Sequence, residues 1–221
     1  MDEPTTDPRP LPCPLPARTS YTAQDALVVE TGAGNAEAAR LTEALQALLV
    51  AKGLLAPGEV EQEIAKLDAP GLHLGARLVV RAWTDPDFKA RLLADGKSAA
   101  AELGLKVGEA QIVVVENTAQ AHNLIVCTLC SCYPRSILGQ PPSWYISKTY
   151  RARAVREPRA VLREFGLDIP LHVRVRVHDS NADMRYLVLP MPPPGLRDRD
   201  EADLPGLVTR DVLIGTAVVQ A

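Results

Sequence analysis

The chain has 221 residues, enough for one large domain or for a domain with an appendage. Its hydrophobic share of 47% allows a sizeable buried core, and its formal net charge of −3 gives no overall attraction to nucleic acid or to an anionic membrane. No apolar run reaches the roughly 20 residues needed to cross a bilayer, and the N-terminus lacks the pattern of a signal peptide. We therefore expect a cytoplasmic protein that does not bind membranes and whose cysteines do not form structural disulfides.

Residues 1–34 are predicted to form an extended, proline-rich N-terminal tail. Six prolines lie between Pro4 and Pro16, and each fixes φ and removes a main-chain donor, which disfavours packed helices and strands. Cys13 lies within this tail. A single thiol in a segment of this composition is interpreted as incidental and not as a metal ligand.

Residues 35–107 are predicted to form a helical region. The first helix shows the pattern most clearly, because leucines recur with helical spacing from Leu41 between the capping residue Asn35 and the terminating Gly53. Similar signals predict further helices from residue 57, over about 74–83, over 86–96 and up to residue 104. We expect these helices to provide a scaffold or an interface and not a catalytic site.

Residues 108–221 are predicted to form an α/β region that carries the functional site. Apolar and β-branched residues predict strands in AQIVVVEN, HNLIVC, LHVRVRVHD, MRYLVLP and the apolar segment within 205–219. Between them, YPRSILGQPPSWY is predicted to be a loop and YRARAVREPRAVLREFG a helix around Pro158. The predicted fold class is α+β, in which a helical N-terminal arm is followed by a layered α/β domain with a small mixed sheet.

Three of the four cysteines lie in the stretch VCTLCSCYP, where Cys127, Cys130 and Cys132 form a C-x-x-C-x-C motif. In a reducing compartment this clustering favours metal or redox chemistry. Other cysteine sites fit the motif poorly, because a redox pair needs two thiols, a structural zinc site usually needs a second separated pair, and an iron–sulfur cluster usually needs four thiolates. Three buried structural cysteines seldom lie so close together.

A metal centre that also uses the main chain is the remaining interpretation. If the three sulfurs bind one ion, the amide nitrogens of Ser131 and Cys132 must lie close to it. These two nitrogens and the sulfurs of Cys130 and Cys132 would form four equatorial ligands, with the Cys127 sulfur axial and a sixth position open to water or substrate. Such a set of sulfur and nitrogen ligands suits a low-spin trivalent ion, Co(III) or Fe(III), better than zinc.

The cysteine motif resembles the metal-binding loop of nitrile hydratase α subunits. The segments GARLVVRAWTDPDFKARLLADG, PPSWYISKTYRARAVREPRAVLREFGLDIP, VHDSNADMRYLVLP and LVTRDVLIG are similar to the same family in the same order. The resemblance extends from roughly Leu41 to Val218. In this family a threonine after the first cysteine goes with cobalt and a serine with iron, so Thr128 implies one Co(III) per chain, with Fe(III) less favoured.

The resemblance also implies roles for individual residues. Cys127 would be the axial thiolate, Cys130 would be oxidised to a sulfinic acid and Cys132 to a sulfenic acid, while Ser131 and Cys132 would supply amide nitrogens. Cys130, Ser131 and Cys132 are thus the predicted catalytic residues. The residues predicted to support this site or to line its pocket are Thr128, Arg135, Arg185 and Glu116.

The implied reaction is the hydration of a small-molecule nitrile to its amide by a hetero-oligomer. The Cys132 sulfenate would either attack the nitrile or act as the base for a water, and the sequence does not distinguish the two. The implied partners are a β-type subunit, as one chain or split in two, and a small activator or metallochaperone. The β-type subunit would supply arginines to the oxidised cysteines.

Three alternatives stay open. Arg135 stands where nitrile hydratases of this type have a tryptophan, and YPR followed by ILGQ resembles the γ subunit of cobalt-dependent thiocyanate hydrolase, whose substrate is an anion. A three-subunit nitrile hydratase of the toyocamycin type is another alternative. From a different class, the basic stretch 148–163 suggests an interaction or nucleic-acid surface, although no aromatic residues interleave its charges. We rank nitrile hydratase first.

Overall fold

The computed structural model describes residues 36–68, 70–196 and 199–220. The predicted tail of residues 1–34, with Cys13, lies outside the described residues. Within them, helices and short strands follow one another in an α+β fold, which confirms the predicted fold class. None of the described helices is both long enough and apolar enough to span a membrane.

Five helices precede the first strand, as the leucine and proline spacing predicts. They are α1 (Ala36–Ala51), α2 (Glu59–Asp68), α3 (Leu72–Thr84), α4 (Pro86–Ala94) and α5 (Gly96–Glu102). Aspartates define the last two starts: the Asp85 side chain accepts hydrogen bonds from the N–H groups of Asp87 (3.0 Å) and Phe88 (2.9 Å), and Asp95 caps α5 in the same way. Asp85 therefore separates α4 from α3, and Asp95 separates α5 from α4.

Four strands form two separate parallel pairs among the described residues. β1 (Gln111–Glu116) pairs with β4 (Met184–Leu189), and β2 (Ala121–Val126) pairs with β3 (Arg174–Asp179). The first four predicted strands are confirmed, but they form two parallel pairs instead of one small mixed sheet. Consecutive strands contribute only an isolated antiparallel bridge between Thr118 and Ala121. Each strand pairs instead with one that is distant in sequence, which parallel pairing requires.

The segment between β2 and β3 contains four helices, where the sequence predicts a loop and one helix. They are α6 (Arg135–Leu138), α7 (Ser143–Ile146), α8 (Lys148–Arg156) and α9 (Pro158–Glu164). The loop prediction is wrong for α6 and α7, because Ile137 and Tyr145 are fully buried and anchor these short turns in the core. Pro158 begins α9 and separates it from α8, since proline fits the first helical position but breaks a helix interior.

The C-terminal apolar segment is helical, and the strand predicted within 205–219 is wrong. It forms a 3-10 turn, Leu204–Leu207, and α10 (Arg210–Ile214). Thr209 caps α10 by accepting a hydrogen bond from the N–H of Val212 (3.3 Å), and Gly215 ends it with φ of 88°. Val212, Leu213 and Ile214 are all buried, and a short apolar run of this kind has the same pattern in a helix as in a strand.

β2 is the buried strand that positions the site. Residues 124–126 are fully buried, and α10 packs on this strand so closely that a Cβ added at Gly215 would lie 1.9 Å from the Asn123 carbonyl oxygen. At the neighbouring position, His122 Nε2 lies 2.7 Å from the Gly215 carbonyl oxygen. A buried strand, fixed near its start by Gly215, therefore leads into the residues that follow Val126.

Candidate metal centre

The three cysteines of the motif lie in a loop directly after β2, and their sulfur atoms converge. Cys127 is buried, Cys132 is half-buried and Cys130 is exposed. The Sγ atoms of Cys127 and Cys130 are 3.3 Å apart, and those of Cys130 and Cys132 are 3.0 Å apart. All three sulfurs lie within 4.8 Å of one another, close enough to bind a single metal ion.

Main-chain amides of the loop point to the same region. The N–H of Cys130 donates a hydrogen bond to Cys127 Sγ (3.2 Å), and the N–H groups of Cys132 and Ser131 lie close enough to the Cys130 thiol to lower its pKa. The contacts of this thiol with Cys132 and Cys127, together with the two amides, lower the pKa of Cys130 to about 7. Burial raises the pKa of Cys132 to about 12, and the charge of Arg185 opposes this effect.

These donors fit a transition metal that prefers sulfur and nitrogen. In the described part of the chain, the three cysteines are the only group of metal-ligating side chains brought this close together. Three thiols fall one short of the usual structural zinc site, whereas the amides of Ser131 and Cys132 face the same sulfurs and can complete a mixed set of ligands. The division of these ligands into equatorial and axial positions stays a prediction.

Asp179 at the end of β3 anchors the first turn of the loop. The parallel register places Asp179 beside Val126, and its carboxylate accepts hydrogen bonds from the N–H of Thr128 (2.8 Å) and from the Thr128 hydroxyl (2.5 Å). The sequence analysis missed Asp179. Its position as the last residue of an alternating strand was the available signal, because the carboxyl ends of paired parallel strands meet at one edge.

Two helices from the segment after the loop hold its later carbonyl groups. The Tyr145 hydroxyl in α7 donates a hydrogen bond to the Cys132 carbonyl oxygen (2.8 Å), and Arg151 Nη1 in α8 donates to the Cys130 carbonyl oxygen (2.9 Å). Tyr150 supports the preceding strand through a hydrogen bond to the Ile125 carbonyl oxygen (2.6 Å). No local sequence pattern predicts these contacts, since they depend on how α7 and α8 fold back onto the loop.

The loop borders an open cleft of about 600 Å³. Its lining includes Cys130, Ser131, Cys132, Arg135, Arg185 and Glu109. Arg185 in β4 points into this region, and its Nε and Nη1 atoms are buried without a hydrogen-bond partner among the described residues. Glu109, which the sequence analysis did not single out, accepts hydrogen bonds from the N–H and hydroxyl of Ser136. The cleft therefore combines thiols with two arginines.

Three of the four predicted supporting residues lie in the loop or line the cleft, and the fourth, Glu116, does not. Thr128 is in the loop and is bonded to Asp179, and Arg135 and Arg185 line the cleft. Glu116 lies at the opposite end of β1 from the cleft, where its carboxylate pairs with Lys89. Glu116 is therefore not among the residues that line the cleft, and a supporting role for it stays a prediction.

The basic stretch 148–163 is largely occupied by contacts within the chain. Arg153 is buried and pairs with Glu157 (2.8 Å) and Glu164 (2.6 Å). Arg159 donates hydrogen bonds to main-chain carbonyl groups, including that of Ile169 (2.7 Å). With Arg151 bonded to the cysteine loop, half of the six cations in this stretch have structural roles, which weakens the pattern that suggested nucleic-acid binding.

Comparison with known proteins matches residues 36–217 to the family described as "Nitrile hydratase, alpha chain". The chain belongs to this family. The low-molecular weight cobalt-containing nitrile hydratase subunit alpha of Rhodococcus rhodochrous is 49% identical over 187 residues, which cover 83% of this chain and 90% of that protein. Thiocyanate hydrolase subunit gamma of Thiobacillus thioparus is 40% identical over 190 residues, or 80% of this chain and 78% of that protein.

Solved structures of the nitrile hydratase family share the fold. A double mutant of Fe-type nitrile hydratase from Comamonas testosteroni Ni1 aligns with a TM-score of 0.75 and 44% identity, over 85% of this chain and 93% of that one. Recombinant thiocyanate hydrolase comprising partially modified cobalt centres aligns with a TM-score of 0.71 and 38% identity, over 85% and 92% of the two chains. The resemblance expected from the cysteine motif is therefore confirmed across most of the chain.

Proposed function

We propose that this chain is the metal-binding α subunit of a cobalt-dependent nitrile hydratase, which hydrates a nitrile to the corresponding amide. The main support is the sulfur cluster: three cysteine sulfurs lie within 4.8 Å of one another beside two main-chain amides and an open cleft. The chain that carries them is 49% identical to a cobalt-containing nitrile hydratase subunit. Cys127, Cys130, Ser131 and Cys132 would hold the ion. We expect the assembled enzyme to be cytoplasmic.

Cobalt is proposed over iron, in the trivalent state and with one ion per chain. The relatives include cobalt-containing and Fe-type enzymes, and the threonine form of the motif, with Thr128, is the observation that favours cobalt. When bound, the ion would act as a Lewis acid, which makes a nitrile carbon more electrophilic or a bound water more acidic.

The residues of this chain would orient the reactants and handle the proton. Oxidation of Cys132 to a sulfenate by dioxygen during maturation would place an oxygen on the cleft wall. This oxygen would either take a proton from a water that attacks the nitrile carbon, or attack that carbon itself and be replaced by the oxygen of a water as the amide leaves. Oxidation of Cys130 to a sulfinate adds negative charge at the same wall. Arg185, whose Nε and Nη1 atoms are unpartnered among the described residues, lies close enough to Cys132 to affect its pKa and would balance this charge.

Partner chains are part of the proposal, because the cleft is open on this subunit alone. A β-type subunit, as one chain or two, would close it and contribute further cations, and a small activator would assist cobalt insertion. We therefore expect weak activity at best from the isolated chain.

The proposal is tested by producing the chain with its β-type partner in cobalt-supplied cells and assaying amide formation from a nitrile. The wild-type complex should form amide, and Cys127→Ala should lose both bound cobalt and activity. Cys13→Ser is the matched control, since Cys13 lies outside the motif, and it should behave like the wild type. Equal cobalt content and activity in the Cys127→Ala variant would exclude the proposed site.

Thiocyanate hydrolysis is the second candidate, and Arg135 is the observation that favours it. This residue is exposed on the cleft wall beside the cysteines and would attract an anion. If thiocyanate is the substrate, the wild-type complex should hydrolyse thiocyanate faster than it hydrates neutral nitriles, and Arg135→Trp should reverse this preference. A faster nitrile reaction in the wild type would exclude this alternative.

A further inference from the structure

α8 (Lys148–Arg156) places Arg151 on the cysteine loop, Cys127–Cys132. Arg151 Nη1 donates a hydrogen bond to the carbonyl oxygen of Cys130 (2.9 Å), across 21 positions of sequence. Its neighbour Arg153 turns the other way, into ion pairs with Glu157 and Glu164. Lys148, at the start of the same helix, is exposed. Arg151 therefore links α8 directly to the loop.

The bonded carbonyl belongs to the peptide unit that also contains the Ser131 nitrogen. A trans peptide is planar, and its C=O and N–H groups point in opposite directions. Because Arg151 holds the Cys130 carbonyl on the α8 side, the Ser131 N–H must face the other side. On that side the Ser131 N–H lies close enough to the Cys130 thiol to lower the pKa of that thiol. The orientation of this one peptide decides whether the Ser131 nitrogen faces the sulfur cluster.

The charge of Arg151 makes this contact stronger than an ordinary loop hydrogen bond. None of the described carboxylates forms an ion pair with Arg151, and its Nε is buried without a hydrogen-bond partner among the described residues. A guanidinium that is not neutralised forms a charge-assisted hydrogen bond with a carbonyl oxygen. Within the described residues, no carboxylate competes with the Cys130 carbonyl for this arginine.

We propose that Arg151 is a positioning residue of the metal centre, which keeps the Ser131 nitrogen directed at the sulfur cluster by holding the Cys130–Ser131 peptide from the opposite side. This inference rests on the proposed metal centre and adds a residue to it. The expected consequence of losing Arg151 is a loop that still carries all three thiols but offers one nitrogen ligand less reliably.

The test uses the cobalt-matured complex with three substitutions: Arg151→Met, Arg151→Lys and the matched control Lys148→Met, which removes a charge from the same helix without touching the loop. Arg151→Met should lower cobalt affinity by roughly 10–100-fold and shift the sulfur-to-cobalt absorption band in the fraction that retains metal. Arg151→Lys should restore much of the cobalt content, and Lys148→Met should match the wild type.

A purely structural role would lower the melting temperature of the Arg151→Met complex without moving the absorption band. Full cobalt content and an unshifted band in Arg151→Met would therefore overturn the inference. If Arg151→Met does not fold, Arg151→Gln replaces it, with the same expected losses and the same contradicting result.

A measurement on the metal-free chain separates this inference from the proposed function. In the absence of metal, loss of one charge-assisted hydrogen bond should speed hydrogen exchange of the Ser131 amide by roughly tenfold in Arg151→Met and not in Lys148→Met. Equal exchange rates would overturn the role of Arg151. Failure of the wild-type complex to take up cobalt would instead contradict the proposed function and leave the exchange result to decide on Arg151.

Discussion

The cysteine loop, Cys127–Cys132, is held by contacts from the rest of the chain, whereas the helix pair α1–α2 has few such contacts. The loop forms neither helix nor strand. Its main-chain groups are nevertheless hydrogen-bonded by three side chains from other elements: Asp179, Tyr145 and Arg151. α1 has regular structure and little support, since Leu41, Leu45 and Leu48 on its apolar stripe all remain exposed. In this chain an irregular loop is therefore held more firmly by tertiary contacts than a regular helix is.

Two glycines with positive φ give the largest expected contrast between the two regions. Gly215 packs against β2, where an added Cβ would lie 1.9 Å from the Asn123 carbonyl oxygen, whereas a Cβ at Gly53 beyond α1 would meet no atom within 4 Å. We expect Gly215→Ala to lower the free energy of unfolding by about 4 kcal/mol or more. Gly53→Ala should cost about 1 kcal/mol from backbone strain alone. Denaturant unfolding of both variants measures the difference, and equal losses would contradict it.

Two leucines sharpen the same contrast with a smaller effect. Leu78 in α3 is fully buried, whereas Leu45 in α1 is 55% exposed. Leu78→Ala should cost about 2–5 kcal/mol because it leaves a cavity in the core. Leu45→Ala in the free chain should stay within about 0.5 kcal/mol of the wild type. A large loss from Leu45→Ala in urea unfolding would show that α1 is packed in the free chain.

The sequence predicted the two regions by different means. Helical spacing predicts α1 correctly, but the same spacing does not say what its leucines contact. The cysteine motif identified the loop, and its resemblance to a known family indicated a metal. The residues that hold the loop come from other strands and helices, so only the folded chain shows Asp179, Tyr145 and Arg151 together.

The errors in secondary structure follow from the same limitation. The segment within 205–219 has a strand-like composition but forms α10. Thr209 and Gly215 provide the start and the end of this short helix, and Val212, Leu213 and Ile214 are buried in the core. Prolines around α6 and α7 indicated a loop, although Ile137 and Tyr145 are core residues. In each case tertiary burial decided between conformations that the local pattern left equivalent.

Asp179 tests how far the support of the loop contributes to metal binding. Asp179→Asn keeps the size of the side chain but weakens its hydrogen bonds to the Thr128 N–H and hydroxyl. We expect cobalt affinity to fall by roughly 10–100-fold, with little change in the free energy of unfolding. Asp183→Asn, an exposed neighbour, is the control. Metal titration of the apo complexes measures the effect, and unchanged affinity would show that Asp179 does not support the site.

The smallest predicted effect is a pH dependence from His122, which is distant from the loop. Burial lowers the pKa of His122 below its ordinary value. Below about pH 6.5, the unfolded chain therefore takes up a proton that the folded chain does not, and stability falls as the pH decreases. His178 contributes in the same direction, because burial and then the charge of Arg176 lower its pKa.

His122→Gln should therefore make the fall in stability between pH 7.5 and pH 5.5 shallower without abolishing it. Urea unfolding at several pH values within this window measures the slope. The exposed His172 provides the control as His172→Gln. A slope as steep in His122→Gln as in the wild type would contradict the assignment.

The most direct test of the metal centre is a mass spectrum of the peptide that contains Cys127 to Cys132, combined with cobalt analysis of the purified, matured complex. The expected result is one cobalt per chain, two added oxygen atoms on Cys130 and one on Cys132, with Cys127 unmodified. A complex that catalyses the reaction while carrying no cobalt and three unmodified thiols would contradict the account.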